Sequence, residues 1–152
     1  MKPSAHITKK TNTILSVTPL WQDHDSLRTI CDEASSNKGR WKLVTASNVG
    51  WATQMLKRDQ IPIAICERDL QPGTWRDLLE QTATMPHLPL MIVTSRLADE
   101  HLWSEVLNEG GYDVLAKPFD PTELIRVVEG AFQHWQDLHE AFSARRALRL
   151  AS

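Results

Sequence analysis

The chain is poor in cysteine. Cys31 and Cys66 are its only two in 152 residues, too few for a disulfide scaffold or a four-ligand zinc site. It also lacks an excess of either charge, with 17 Lys and Arg against 19 acidic residues and a net charge of −2. Dedicated nucleic-acid binders carry a basic excess, so that class is not expected. No apolar run reaches the roughly 18 residues of a membrane-spanning helix. The first ten residues carry Lys2, Lys9 and Lys10 but no apolar stretch, so they do not read as a secretory signal. There is one tyrosine beside six tryptophans, a count that assigns them no role by itself. What is present, 41% hydrophobic and 24% charged residues, suits one globular domain with a real core. A cytoplasmic single-domain protein is the expectation.

Short apolar runs alternate with helical periodicity. Residues 1–12 are polar and read as a flexible segment. Thr13-Ile14-Leu15-Ser16-Val17 has the length and branching of a buried strand. Leu27, Ile30, Cys31 and Ala34 recur at helical spacing between about 23 and 36, and Asn37-Lys38-Gly39 is a stop signal. Trp41–Thr45 reads as a second strand, and Trp51, Ala52, Met55 and Leu56 mark a second helix. The third strand is 61–66, with Pro62 near its start, where a missing donor is tolerated. Trp75, Leu78 and Leu79 define helix three. Strand four is 88–93, ending at Thr94, and helix four runs from about 98 to 108 with Leu102, Trp103, Val106 and Leu107 inward. Gly110-Gly111 ends it, and strand five is 112–116. Asp120, Pro121 and Glu123 then form a cap, first position and capping-box partner for a last helix. Its stripe runs Leu124, Val127, Val128, Ala131, Trp135 and Leu138.

Five such units with near-continuous apolar strands predict a parallel sheet covered on both faces, a three-layer doubly wound α/β fold. Function in such folds sits at the carboxyl ends of the strands. No glycine-rich phosphate loop follows strand one, where the chain reads Val17-Thr18-Pro19-Leu20-Trp21. A nucleotide or flavin phosphate site is not expected there.

The strand ends carry Thr18 and Pro19, then Glu67, Arg68 and Asp69, then Thr94 and Ser95, and finally Lys117 before Pro118. With Ile14-Leu15-Ser16-Val17, Cys66-Glu67-Arg68-Asp69-Leu70-Gln71-Pro72-Gly73, Ile92-Val93-Thr94-Ser95 and Gly111-Tyr112-Asp113-Val114-Leu115-Ala116-Lys117-Pro118-Phe119, residues 12–134 resemble the receiver domains of two-component response regulators. The resemblance implies a flavodoxin-like sheet in the order 2-1-3-4-5 over 13–135, with 136–152 as a helical extension or tail. It also implies an aspartate after strand three that takes a phosphoryl group from a histidine kinase. An acidic pair after strand one helps hold magnesium, a hydroxyl on strand four binds the phosphoryl oxygens, and a lysine on strand five pairs with their charge. Thr94 matches the hydroxyl position and Lys117 the lysine.

Elsewhere the chain departs from that pattern. Thr18 and Pro19 replace the acidic pair. The acceptor position falls on Glu67 when Leu70 and Gly73 set the alignment, and on Arg68 when Pro72-Gly73 is slid to the commoner turn; Glu67 is preferred because it directly follows the apolar strand. The aromatic switch position is Val114. Magnesium wants near-octahedral oxygen coordination, and phosphoryl transfer depends on positioning and charge neutralisation, so ordinary aspartyl phosphorylation and a magnesium cofactor are not expected. Glu67, paired with Lys117 and bonded by Thr94, would be either a built-in phosphoryl mimic or an ion pair left from a decayed site.

Other features have plain readings. Asp23 and Asp25 are placed as caps of helix one rather than displaced metal ligands. Asp69 reads as a solvated loop residue, and Cys66 as a packed small hydrophobe rather than a redox thiol. His87 and His101 are isolated, and His134 and His139 are badly spaced for a ligand pair. Trp51, Trp75, Trp103 and Trp135 fit inward stripes, whereas exposure of Trp21 or Trp41 would mark a contact surface. The last helix continues through Phe142 and Leu148 with Arg145, Arg146 and Arg149, as a frayed basic tail or an overhang for another copy or a partner helix.

The expected function is therefore a stand-alone atypical receiver, non-enzymatic, acting by protein–protein contact through residues 98–135. Its partner would be a histidine kinase or another response regulator, with a homodimer through the last helix as a further option. The alternatives are a receiver phosphorylated on Glu67 or Asp69 with a rebuilt metal site, and a small-molecule binder on the same scaffold.

Overall fold

The computed structural model describes residues 12–38 and 41–151, with the backbone alone for 35–38. The segment 1–11 and Gly39 of the first stop signal lie outside these residues. The elements run β1 Thr13–Val17, α1 Trp21–Lys38, β2 Lys42–Ala46, α2 Val49–Arg58, β3 Ile63–Glu67, α3 Trp75–Thr82, β4 Leu90–Ser95, α4 Glu100–Asn108, β5 Asp113–Ala116 and α5 Pro121–Ala151. All strand pairs are parallel, and the sheet order is β2-β1-β3-β4-β5. Strands three and four reach further than their apolar runs, to Glu67 and Ser95. The ladder carries the pairing on past the last aliphatic residue, with Glu67 opposite Thr94.

The central strands are buried on both faces, which is why they read as unbroken apolar runs. On one face Leu27, Ile30 and Cys31 of α1 meet Leu124, Val128 and Ala131 of α5 over Ile14, Ile63 and Ile92. On the other, Ala52 and Leu56 of α2, Trp75 and Leu78 of α3, and Leu102 and Val106 of α4 cover Leu15, Val17, Met91 and Val93.

Local chemistry sets the helix ends. Asn48 accepts from the Trp51 N–H at 2.9 Å, Thr74 and Asp77 close a capping box, and Asp99 accepts from the Leu102 N–H at 2.9 Å. Gly110 adopts φ +104°, and bonds from Gly111 N to Val106 O and Gly110 N to Leu107 O close a Schellman motif. Asp120 caps α5, its carboxylate accepting from the Thr122 N–H.

Several side chains depart from their expected stripes. Trp75 and Trp135 are buried, but Trp51 is 60% and Trp103 49% exposed, and Leu107 and Leu138 also face solvent. In α2 the inward positions are Ala52, Thr53 and Leu56, and in α4 Leu102 and Val106. Each of these tryptophans therefore stands one residue, about 100° of rotation, off the buried face. Trp21 is 68% exposed, whereas Trp41 is half-buried and packs on Phe132 with ring centroids 5.8 Å apart. Among the described residues no helix is long and apolar enough to cross a membrane.

Candidate functional site

Parallel strands bring their carboxyl ends to one edge of the sheet, so residues far apart in sequence meet there. Glu67 closes β3 and is buried at 5% exposure. Lys117 follows β5, anchored by its N–H to the Ser95 carbonyl at 3.0 Å, and the Lys117–Pro118 peptide is cis. The Lys117 ammonium donates to Glu67 Oε1, forming a buried ion pair. Glu67 Oε2 accepts from the Asp69 N–H at 2.8 Å.

The ammonium has a second partner. Asp23 Oδ2 lies 2.7 Å from Lys117 Nζ. Asp23 is therefore no helix cap. The helix begins at Trp21, which puts Asp23 in its first turn, and its carboxylate crosses to β5. Asp25 lies two residues further on, round the helix from Asp23, and is exposed. Burial alone would lower the Lys117 pKa, but hydrogen bonds and charges from Asp23 and Glu67 outweigh it and hold the pKa above 10.5.

Thr94 is buried beside Glu67 in the ladder, yet the Glu67 oxygens bond Lys117 and Asp69 rather than the Thr94 hydroxyl. The Thr18 hydroxyl accepts from the Leu20 N–H at 3.1 Å. The Arg68 side chain is 40% exposed, with its Nε 4.0 Å from Asp69 Oδ1. The Asp69 side chain is 80% exposed. Val114 packs against the core. Above Glu67 and Lys117 opens a cavity of about 260 Å³, bordered by Leu20, Arg68, Arg96 and Leu97.

Sequence reasoning also missed His24. Its Nε2 lies 3.0 Å from the Thr18 carbonyl and its Nδ1 2.8 Å from the Ser16 hydroxyl. A carbonyl can only accept, so Nε2 carries the proton and neutral Nδ1 accepts from Ser16. Burial pushes the His24 pKa below its usual value. The imidazole ties β1 to α1 and fixes the turn that delivers Asp23. No short-range pattern signals either contact, because both depend on where α1 lies against the sheet.

No protein-family model matches the chain, and no curated protein does. Solved structures do. The signal receiver domain of an HD domain-containing protein from Pseudomonas fluorescens superposes with a TM-score of 0.75 at 22% identity, over 88% of this chain and 95% of that one. The chemotaxis response regulator CheY4 of Vibrio cholerae gives 0.70 at 13% identity, over 80% and 99%. The beryllofluoride-activated NtrC4 receiver domain, a dimer, gives 0.71 at 18% identity, over 82% and 98%. The fold is the receiver fold.

The receiver fold implies a magnesium ion, and the donors present do not fit one. Magnesium demands near-octahedral oxygen ligation. The facing oxygens of Asp23 and Glu67 are held by the Lys117 ammonium, and the other Glu67 oxygen takes the Asp69 N–H. Thr18 is bonded to Leu20, and Pro19 offers only its carbonyl. Among the described residues no three His, Cys, Asp or Glu side chains gather to hold a metal.

Proposed function

We propose that this chain is a receiver-type signalling module that acts by protein–protein contact and takes up no phosphoryl group. The observation that carries this reading is the Lys117 ammonium shared between Asp23 and Glu67. In receivers that lysine answers the charge of a phosphoryl group, which brings about −1.5 to −2. Here two carboxylates supply a comparable charge permanently, from β3 and from the first turn of α1. Glu67 alone is a partial mimic; Asp23 makes up the remainder. The module then has one fixed state, needs no magnesium and catalyses nothing.

The contact surface in this reading is residues 98–135, where Trp103 and Leu107 stand exposed on α4. A histidine kinase or another response regulator in the cytoplasm is the partner class that suits it.

Intact mass after incubation with magnesium and an acyl-phosphate donor tests the reading, with Glu67→Asp run alongside. Wild type is expected to stay unmodified. A phosphate-mass adduct on wild type, on Glu67 or on the exposed Asp69, overturns the proposal. An adduct on Glu67→Asp alone identifies the longer side chain as the block. No adduct on either protein agrees with the loss of metal ligands at Thr18 and Pro19.

A further inference from the structure

The last helix outruns its sheet. Trp135 is its last buried residue, and residues 136–151 continue as regular helix for about 24 Å at 1.5 Å per residue. The stripe that faces the sheet, through Leu124, Val128, Ala131 and Trp135, carries on along this overhang at helical spacing. It carries on in two chemically distinct halves. The first is aromatic and apolar: Leu138, His139 and Phe142. The second is Arg145, Arg146 and Arg149.

The aromatic half is half-open. The Trp135 indole donates to the Leu88 carbonyl at 3.2 Å, and the His139 ring stacks on it at 4.9 Å. His87 meets His139 at 4.7 Å and Phe142 edge-on at 6.2 Å. Leu138 and Phe142 nevertheless remain 51% and 50% exposed. Beside them, between the 86–88 loop and α5, lies a cleft of about 220 Å³.

We propose that the occupant of this face is a second copy of the chain, with the two overhangs antiparallel and Phe142 at the two-fold axis. The order of the halves sets the direction. A parallel pair would stack arginines on arginines, which repel. An antiparallel pair takes the arginines of each copy away from those of the other and lays them along its Leu138, His139 and Phe142, where the Arg stems cover apolar surface and the half-exposed Phe142 offers a ring face. With Phe142 at the axis, Leu138 falls level with Arg146 of the other copy, His139 with its Arg145 and Trp135 with its Arg149. The contact is isologous, so both clefts are filled at once. A seam this short buries less than the roughly 800 Å² per partner of a standard interface, so the dimer is a dissociating one. This inference does not depend on the strand-end site.

Sedimentation velocity on the full chain over a concentration series, with a cysteine cross-linking experiment, decides it. Wild type is expected to pass from monomer to dimer, and Phe142→Ser with Arg145→Glu to stay monomeric at unchanged circular dichroism. Cys31 and Cys66 are buried and do not compete for oxidant. Mixed Leu138→Cys and Arg146→Cys chains are expected to cross-link with each other, and neither with itself. Monomer at every concentration overturns the proposal, as do cross-links within each variant alone, which report a parallel pair. A dimer that survives the double variant places the interface elsewhere and overturns it too.

Discussion

Lys117 Nζ lies 2.7 Å from Asp23 Oδ2, a contact between residues 94 apart in sequence. It turns a Glu67–Lys117 pair into a three-member network with two carboxylates on one ammonium. By side chain Lys117 is 8% exposed in this network, Glu67 6% and Asp23 19%, so little water is at hand to replace a lost partner of Glu67.

Removing the cation should therefore be costly. Lys117→Met leaves two carboxylates facing each other and is expected to destabilise by about 3–5 kcal/mol, the usual cost of breaking a buried pair. Adding Glu67→Gln and Asp23→Asn should recover most of that loss. Urea unfolding midpoints read both. Because the folded-state pKa of Lys117 is raised above 10.5, its contribution is complete below pH 10.5 and is lost as pH rises through the folded value. Wild type should lose stability in that alkaline window, and Lys117→Met should lack that component.

His24 sets an acid-side dependence. Its folded pKa lies below 6.5, so below that pH the unfolded chain binds a proton that the folded chain does not. Stability should fall as pH drops through 6.5 and level off below the folded value. In His24→Gln that component should vanish, as measured by urea midpoints between pH 7.5 and pH 5.

Both thiols should be inert in the native state. Burial pushes the Cys31 pKa to about 11 and that of Cys66 higher still, Glu67 adding to the latter. A thiol-reactive dye is expected to label neither residue rapidly at pH 7.5 and both in denaturant. Rapid native labelling of Cys66 would contradict its packed position.

The tryptophans should divide by exposure. Trp75→Ala removes a buried ring and should cost about 3–5 kcal/mol. Trp51→Ala should stay within about 0.5 kcal/mol, as read by chemical denaturation.

That division marks where sequence reading stops. The three central strands were legible because full burial writes itself as unbroken aliphatic runs, and Gly110-Gly111 announced a helix end through its backbone conformation. In α2 and α4, nine or ten residues long, only two or three inward positions define the face, so an adjacent tryptophan passes for one of them. Glu67, Thr94 and Lys117 were legible as strand-end residues because parallel strands end together. The reach of Asp23 was not, since its place near a helix start suggests capping and only the placement of α1 against the sheet sends it to Lys117. The missing Glu67–Thr94 bond has the same origin: Asp69 turns its backbone N–H to the carboxylate first.

The most direct test of the locked Lys117 is an amide NMR titration of the wild type with magnesium and beryllofluoride, a phosphoryl stand-in. The account predicts no saturable shift at Glu67, Thr94 or Lys117, because the ammonium and both carboxylates already hold one another. Saturable shifts at those three residues, spreading into α4, would show an open phosphoryl site and contradict it.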